Sequence, residues 1–172
     1  MDKKLERGQC ELCGSNMEVT KVTSAEPYRY VMSGLDNVFL VGVEVRRCIK
    51  CDVRVPIIPK IDGLHKAIAK YLINKQDLLN GKEIKFLRKN AGIAATQFAA
   101  LLKIDSAHLS RVENGKTQNF GPTTDKLARA VAVAARDGKD VRKILLRIAD
   151  QRIDEQRAVF SLEKDHWEKL AA

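Results

Sequence analysis

Four cysteines, and no others, stand at positions 10, 13, 48 and 51. They form two Cys-x-x-Cys pairs, Cys10/Cys13 and Cys48/Cys51, with 34 residues between the pairs. Two residues between thiolates let both sulfurs of one turn face a single ion at about 2.3 Å, and two such turns complete a closed tetrahedral site. A closed site staples a fold and leaves no coordination position for a substrate. Zinc suits four thiolates; iron in the same geometry obeys the same spacing. The expected cofactor is one zinc per chain. Gly14 follows the first pair, where a tight turn needs a positive φ, and Asp52 holds the equivalent place after the second. A disulfide framework and a thioredoxin-like redox pair are the competing readings. The stretch Met1–Arg7 has no apolar run after its charges, which points to the cytoplasm and away from disulfides. Two pairs without a βαβ pattern point away from redox chemistry.

The second concentration of informative residues is the segment 87–115, LRKNAGIAATQFAALLKIDSAHLSRVENG. Ile84, Leu87 and Arg88 recur at helical spacing from about Gly81 to Asn90, and Gly92 stops that pattern. A short helix is expected over 95–102, with Phe98, Leu101 and Leu102 apolar. Its N-cap position, Ala94, lacks a capping oxygen, and Gln97 supplies only the reciprocal half of a capping box. Asp105 is a good N-cap for a helix over 106–113, which Asn114-Gly115 closes with a left-handed cap. Pro122 opens a longer helix carrying Leu127, Val131 and Ala134. Short helices joined by a turn of three or four residues make a helix-turn-helix outline.

This segment resembles the Cro/repressor-like (XRE) helix-turn-helix family through Arg88, Gly92, Ala99, Ile104, Leu109, Ser110, Arg111, Glu113, Asn114 and Gly115. The cysteine pairs, the small sheet between them, a connecting helix and this motif together resemble the MqsA/YgiT-type zinc-finger family over residues 10 to about 135. The resemblance implies a DNA-binding regulator. It also implies, as an alternative, an antitoxin that neutralises a cognate toxin through its N-terminal domain. The helix from Ser106 would lie in the major groove with its N-terminal half toward base edges. Ser106 can bond a base or a phosphate, Ala107 suits a thymine methyl, and Arg111 is the bidentate partner for guanine. His108 either faces the groove or occupies a solvated turn. The resemblance puts phosphate contacts at Asn114, Lys116 and Asn119, and pairs Arg88 with Glu113 inside the helix packing. Two departures matter. Ala94 and Ala95 stand where the family has a Ser-Gln pair, so Gln97 would have to replace that backbone contact. Ala107 stands where the zinc-finger family reads bases with Asn, which implies a different operator.

These residues need elements to hold them. Glu18–Thr23 alternates weakly; Tyr28, Tyr30 and Met32 fall on one face of a second strand; Ser33–Asn37 is a turn. Val38–Val45 is a β-branched run that feeds Arg46, Arg47 and Cys48. A connecting helix follows Pro56–Pro59, with Leu64, Ile68, Tyr71 and Leu72 on one face, Lys66, Lys70 and Lys75 off it, and His65 as a surface or packing residue. Beyond Gly138 a further helical pattern holds Val141, Ile144, Leu145, Ile148 and Arg152. The end carries Val159, Phe160, Leu162, Trp167 and Leu170, with His166 and Trp167 read as packing residues. That stretch is a dimerisation arm, a cover for the connecting helix, or a frayed tail. The fold class is therefore α+β: a zinc-binding β domain over 1–60, a linker helix over 61–78, a helix-turn-helix domain over 79–136, and a helical extension over 137–172.

Composition agrees with this outline. The 172 residues are 45% apolar and 31% charged, which is a globular mixture. No apolar run reaches the length of a membrane span. The net charge is +9, and residues 61–120 alone carry ten basic and five acidic side chains. A basic surface attracts polyanions, and double-stranded DNA, bound by a homodimer on a palindrome, is the expected partner. A toxin protein is the partner in the alternative reading. Catalysis is not expected. No nucleophile–base pair or phosphate-cradling glycine loop is present, and His65, His108 and His166 lie far apart without ligand spacing.

Overall fold

A computed structural model describes residues 8–137, 158–163 and 166–169. Five strands come first: β1 (Met17–Lys21), β2 (Tyr28–Arg29), β3 (Val38–Val41), β4 (Glu44–Cys48) and β5 (Arg54–Ile57). Five helices follow: α1 (Ile61–Asn74), α2 (Gly81–Asn90), α3 (Ala95–Leu102), α4 (Ser106–Glu113) and α5 (Pro122–Asp137). Two strands close the order, β6 (Ala158–Glu163) and β7 (His166–Lys169). The strands build two sheets, β1-β4-β5 and β2-β3-β6-β7. The first is antiparallel; in the second, β3 pairs with β6 in parallel. No described helix is long and apolar enough to cross a membrane.

The β-branched run over 38–45 divides between these sheets. Gly42, at φ +74°, turns the chain between β3 and β4. Its N–H donates to the Val22 carbonyl, while the Val22 N–H donates to Val43. A residue with a Cβ resists that backbone region, so the glycine is where one sheet can hand over to the other. The strand expected over 28–32 ends early for a related reason. The Ser33 hydroxyl donates to the Tyr30 carbonyl and accepts from the Leu35 N–H. This bends 31–33 into a 3-10 turn, so Tyr30 is buried while Met32 is 73% exposed.

The C-terminal stretch departs furthest from expectation. Its expected helical pattern, from Val141 to Arg152, lies outside the described residues, as do Leu170 and the His166 side chain. Residues 158–163 and 166–169 are strands, not a helical extension. Ala-Val-Phe-Ser-Leu has the β-branched and aromatic content of a strand, and β3 offers it an edge beside the core. The hairpin covers the connecting helix. The Phe160 ring meets Tyr71 edge-on at 6.1 Å, the Trp167 indole N–H donates to the Pro59 carbonyl at 3.4 Å, and the Lys169 ammonium sits 4.3 Å over the Tyr71 ring. The indole also packs over Gly63, where a Cβ would meet it at 3.4 Å, close to ordinary van der Waals contact.

One hydrophobic cluster runs from Tyr30 and Leu40 through α1, α2, α3 and α4 to Phe160 and Trp167. Beside it lies a buried charged network that pattern reading did not find. Lys75, read as lying off the buried face of α1, is itself buried, with its ammonium 3.1 and 3.2 Å from the two Glu83 oxygens. Glu83 also closes a reciprocal cap with Asn80, whose side chain accepts from the Glu83 N–H. On α5 the buried face carries Asp125, Ala128, Arg129, Ala132 and Val133, so Leu127 and Ala134 point outward. The Arg129 guanidinium bonds Asp125 at 2.8 Å and donates to the carbonyls of Leu72, Ile73, Lys75 and Asp77. The final carbonyls of a helix have no partner within it, and here a side chain 57 residues downstream of Leu72 fills that need for α1. Asp125 in turn accepts from the Leu79 N–H. Burial raises the pKa of Glu83 and Asp125 and lowers that of Arg129, against the opposing pull of their partners.

Candidate metal centre and helix-turn-helix surface

Each cysteine pair sits in a hairpin turn of the same construction. In the first, the Gly14 N–H donates to the Cys10 carbonyl at 2.8 Å and the Cys10 N–H to Ser15 at 2.8 Å. In the second, the Asp52 N–H donates to Cys48 at 3.1 Å and the Cys48 N–H to Val53 at 2.9 Å. Gly14 and Asp52 both take positive φ, +70° and +56°. Asp52 therefore adopts the turn conformation without being glycine, as Asp can at modest cost, and Arg47 bonds its carboxylate. The register of β1 on β4 places Met17 opposite Cys48, which brings the two turns together.

The sulfurs converge accordingly. Cys10–Cys51 are 3.5 Å apart, Cys13–Cys48 3.4 Å, Cys13–Cys51 3.7 Å, and all four lie within 4.8 Å of one another. A tetrahedron with metal–sulfur bonds near 2.3 Å has edges of about 3.8 Å, so the donor set fits a metal ion. A disulfide needs sulfurs at about 2.05 Å, and all four cysteines are free. The Ser15 backbone N–H, and then its hydroxyl, hold the Cys13 thiol down at about 6, whereas at Cys51 the Val53 N–H is outweighed by the neighbouring sulfurs and burial, which push that thiol up to about 12.

The helical region builds its site by contrast of faces. On α4, Leu109, Val112 and Glu113 are buried, while Ser106, Ala107, Ser110 and Arg111 are exposed. The Asp105 carboxylate caps the helix, accepting from the N–H groups of Ala107 and His108. At the other end Gly115, at φ +67°, lets its own N–H reach the Val112 carbonyl and the Lys116 N–H reach Arg111. Gly81 lets α2 pack onto that end, because a Cβ there would fall 1.9 Å from the Val112 oxygen. Arg88 holds Glu113 with two bonds, at 2.6 and 2.8 Å, and donates a third to the Ile93 carbonyl. The Glu113 carboxylate raises the Arg88 pKa further.

The remaining residues read from the sequence divide in two. Gln97, Ser106, Ala107, Arg111 and Lys116 are exposed, and the Arg111 guanidinium has no hydrogen bond or ion pair among the described residues. Others are partly committed to the fold. The His108 ring packs 5.9 Å from Phe120, Asn119 is half-buried, and Asn114 donates to the Ser110 carbonyl at 2.8 Å. Ala94 makes no side-chain cap. Lys85, not read as a site residue, donates to Asn114 at 3.2 Å. No protein-family model matches the chain, and neither a curated protein nor a solved structure matches it.

Proposed function

We propose that the protein is a sequence-specific DNA-binding transcriptional regulator, a cytoplasmic repressor of its own operon that acts as a homodimer. Its four cysteines hold one structural zinc, and it catalyses no reaction. The observation that carries this reading is α4, which is fixed from below by Leu109, Val112 and the Arg88–Glu113 pair and offers Ser106, Ala107 and Arg111 to solvent. An uncommitted guanidinium on such a helix suits the bidentate reading of guanine. The test is binding to the protein's own upstream DNA beside a scrambled duplex at one salt concentration. Arg111→Ala should cost about 1–3 kcal/mol on the native sequence and relax the preference between the two duplexes. Unchanged affinity and preference would remove Arg111 from the reading.

A second reading draws support from the metal-binding region. Leu12 and Ile49, within the two cysteine turns, are 77% and 64% exposed, and Val19 and Val55 are exposed on the adjoining sheet. Apolar side chains gathered on one small region suit a protein partner, as an antitoxin that neutralises a toxin would require. Inhibition of a neighbouring gene's product by the full chain, lost in a Leu12→Asp/Ile49→Asp variant that still binds DNA, would favour it.

A further inference from the structure

We propose that the lysine face of α2 is a second phosphate-contact surface, which continues the path of duplex DNA beyond the end of α4. This rests on the DNA-binding reading and extends it to residues which that reading did not include. A groove of about 860 Å³ separates the 32–36 turn from the helical region. Lys82, Lys85 and Lys89 line one wall, together with Asn114 and Asn119 of the α4–α5 connection. Spaced i, i+3 and i+7, the lysines share one helix face and span about 10 Å along it.

The charge balance in the groove is uneven. Its two carboxylates are already engaged: Asp36 with Arg29 and Lys82, and Glu113 with Arg88. Lys85 bonds only the neutral amide of Asn114, and Lys89 has no partner among the described residues. Two cations therefore face an open groove without a counter-charge. The Asn119 amide can donate to the same anion, whereas the Asn114 amide already donates to Ser110. A phosphodiester offers one negative charge and acceptor oxygens at every step, which is the ligand chemistry this wall fits. Continuity selects the source of the phosphate. The Lys85–Asn114 bond joins the lysine row directly to the loop at the end of the recognition helix, where the backbone would pass.

The test uses the full-length, metal-loaded protein and its own upstream duplex, with affinity measured from 50 to 200 mM salt. Each phosphate contact contributes about 0.9 to the slope of log K against log salt. The Lys85→Ala/Lys89→Ala variant should flatten that slope by about 2, so that its affinity falls about tenfold less across the range. Its preference for the native over a scrambled duplex should be unchanged. Asp36→Asn, which frees Lys82, should bind more tightly. Lys21→Ala, on β1 and outside the groove lining, serves as the charge control. A double variant whose slope equals that of the wild type or of Lys21→Ala overturns the proposal while leaving DNA binding intact. Thermal stabilisation by inorganic phosphate that the double variant loses, with an unchanged DNA slope, assigns the groove to a small anion and also overturns it. A wild-type protein that binds no duplex removes the DNA reading and this inference with it.

Discussion

Around the cysteines, the sheet β1-β4-β5 leaves Val19, Arg46 and Val55 exposed in one row across its three strands, whereas the helical region closes over Leu64, Ile68, Ile84, Phe98 and Leu109. The first region gains little from burial and depends on four sulfurs brought to one point. The second rests on a packed core together with buried ion pairs that cap helix ends. Sulfur–metal bonding is local and removable; packing is distributed. The two regions should therefore fail under different insults, with the boundary at Gly42, where the chain leaves the core-packed β3 for the cysteine-bearing β4.

The largest expected effect is on the metal side. Structural zinc sites contribute on the order of 10–16 kcal/mol in isolated peptides, so their removal outweighs any single contact. Chelation, or Cys48→Ser, should abolish amide-exchange protection in β1, β4 and β5 and leave α1 to α4 and β3 protected. Metal analysis of the intact protein should give one ion per chain. Loss of protection spread evenly across Gly42 would break the comparison, because it would make the metal a support for the whole core.

The helical side should break at Arg129. Removing one partner of a buried pair costs about 3–5 kcal/mol, since the other charge is left stranded. Arg129→Met should lower the denaturation midpoint accordingly without changing metal content. Asp125→Leu/Arg129→Met should recover only part of the loss. The carbonyls of Ile73, Lys75 and Asp77 and the Leu79 N–H would still be without the side-chain partners they have in the intact protein, whereas the Leu72 carbonyl keeps the Lys75 N–H. Full recovery would show that the guanidinium's caps on α1 carry no weight.

The same contrast explains what could be read from the sequence. The cysteine turns and the boundaries of α2, α3 and α4 are local features: spacing, an Asp105 cap, and glycines at 14, 92 and 115. Local features are written in adjacent residues. Arg129 is different, because its partners are backbone carbonyls more than 50 residues away, and nothing in the composition of α5 marks it as a buried cap. Asn80-x-x-Glu83 did carry a readable signal, the capping-box spacing. The strand character of 158–169 lay in its β-branched and aromatic residues, but its position depends on an edge of β3 that no local pattern reveals. The Lys85–Asn114 contact is likewise tertiary.

The smallest expected effect lies at His65, on the packed side, where α1 meets Tyr30 and α2. Its Nε2 is 3.0 Å from the Tyr30 hydroxyl, and its ring stacks on Tyr30 and meets Phe86 edge-on. Burial holds its pKa below the ordinary value near 6.5, and the nearby Asp62 charge opposes this only in part. The folded state thus favours neutral imidazole more than the unfolded state does. The contribution to stability is present above the unfolded pKa and is lost as pH falls through the lowered folded value. His65→Gln keeps a group that can bond the Tyr30 hydroxyl but cannot take up a proton in this range. The variant should therefore lose less thermal stability than the wild type between pH 7 and pH 5. Thiolate protonation at the metal centre is common to both proteins, so the difference between the two melting curves isolates His65. Parallel curves would mean that the Tyr30–His65 contact tolerates the imidazolium, and that this part of the packed region is held by its apolar contacts alone.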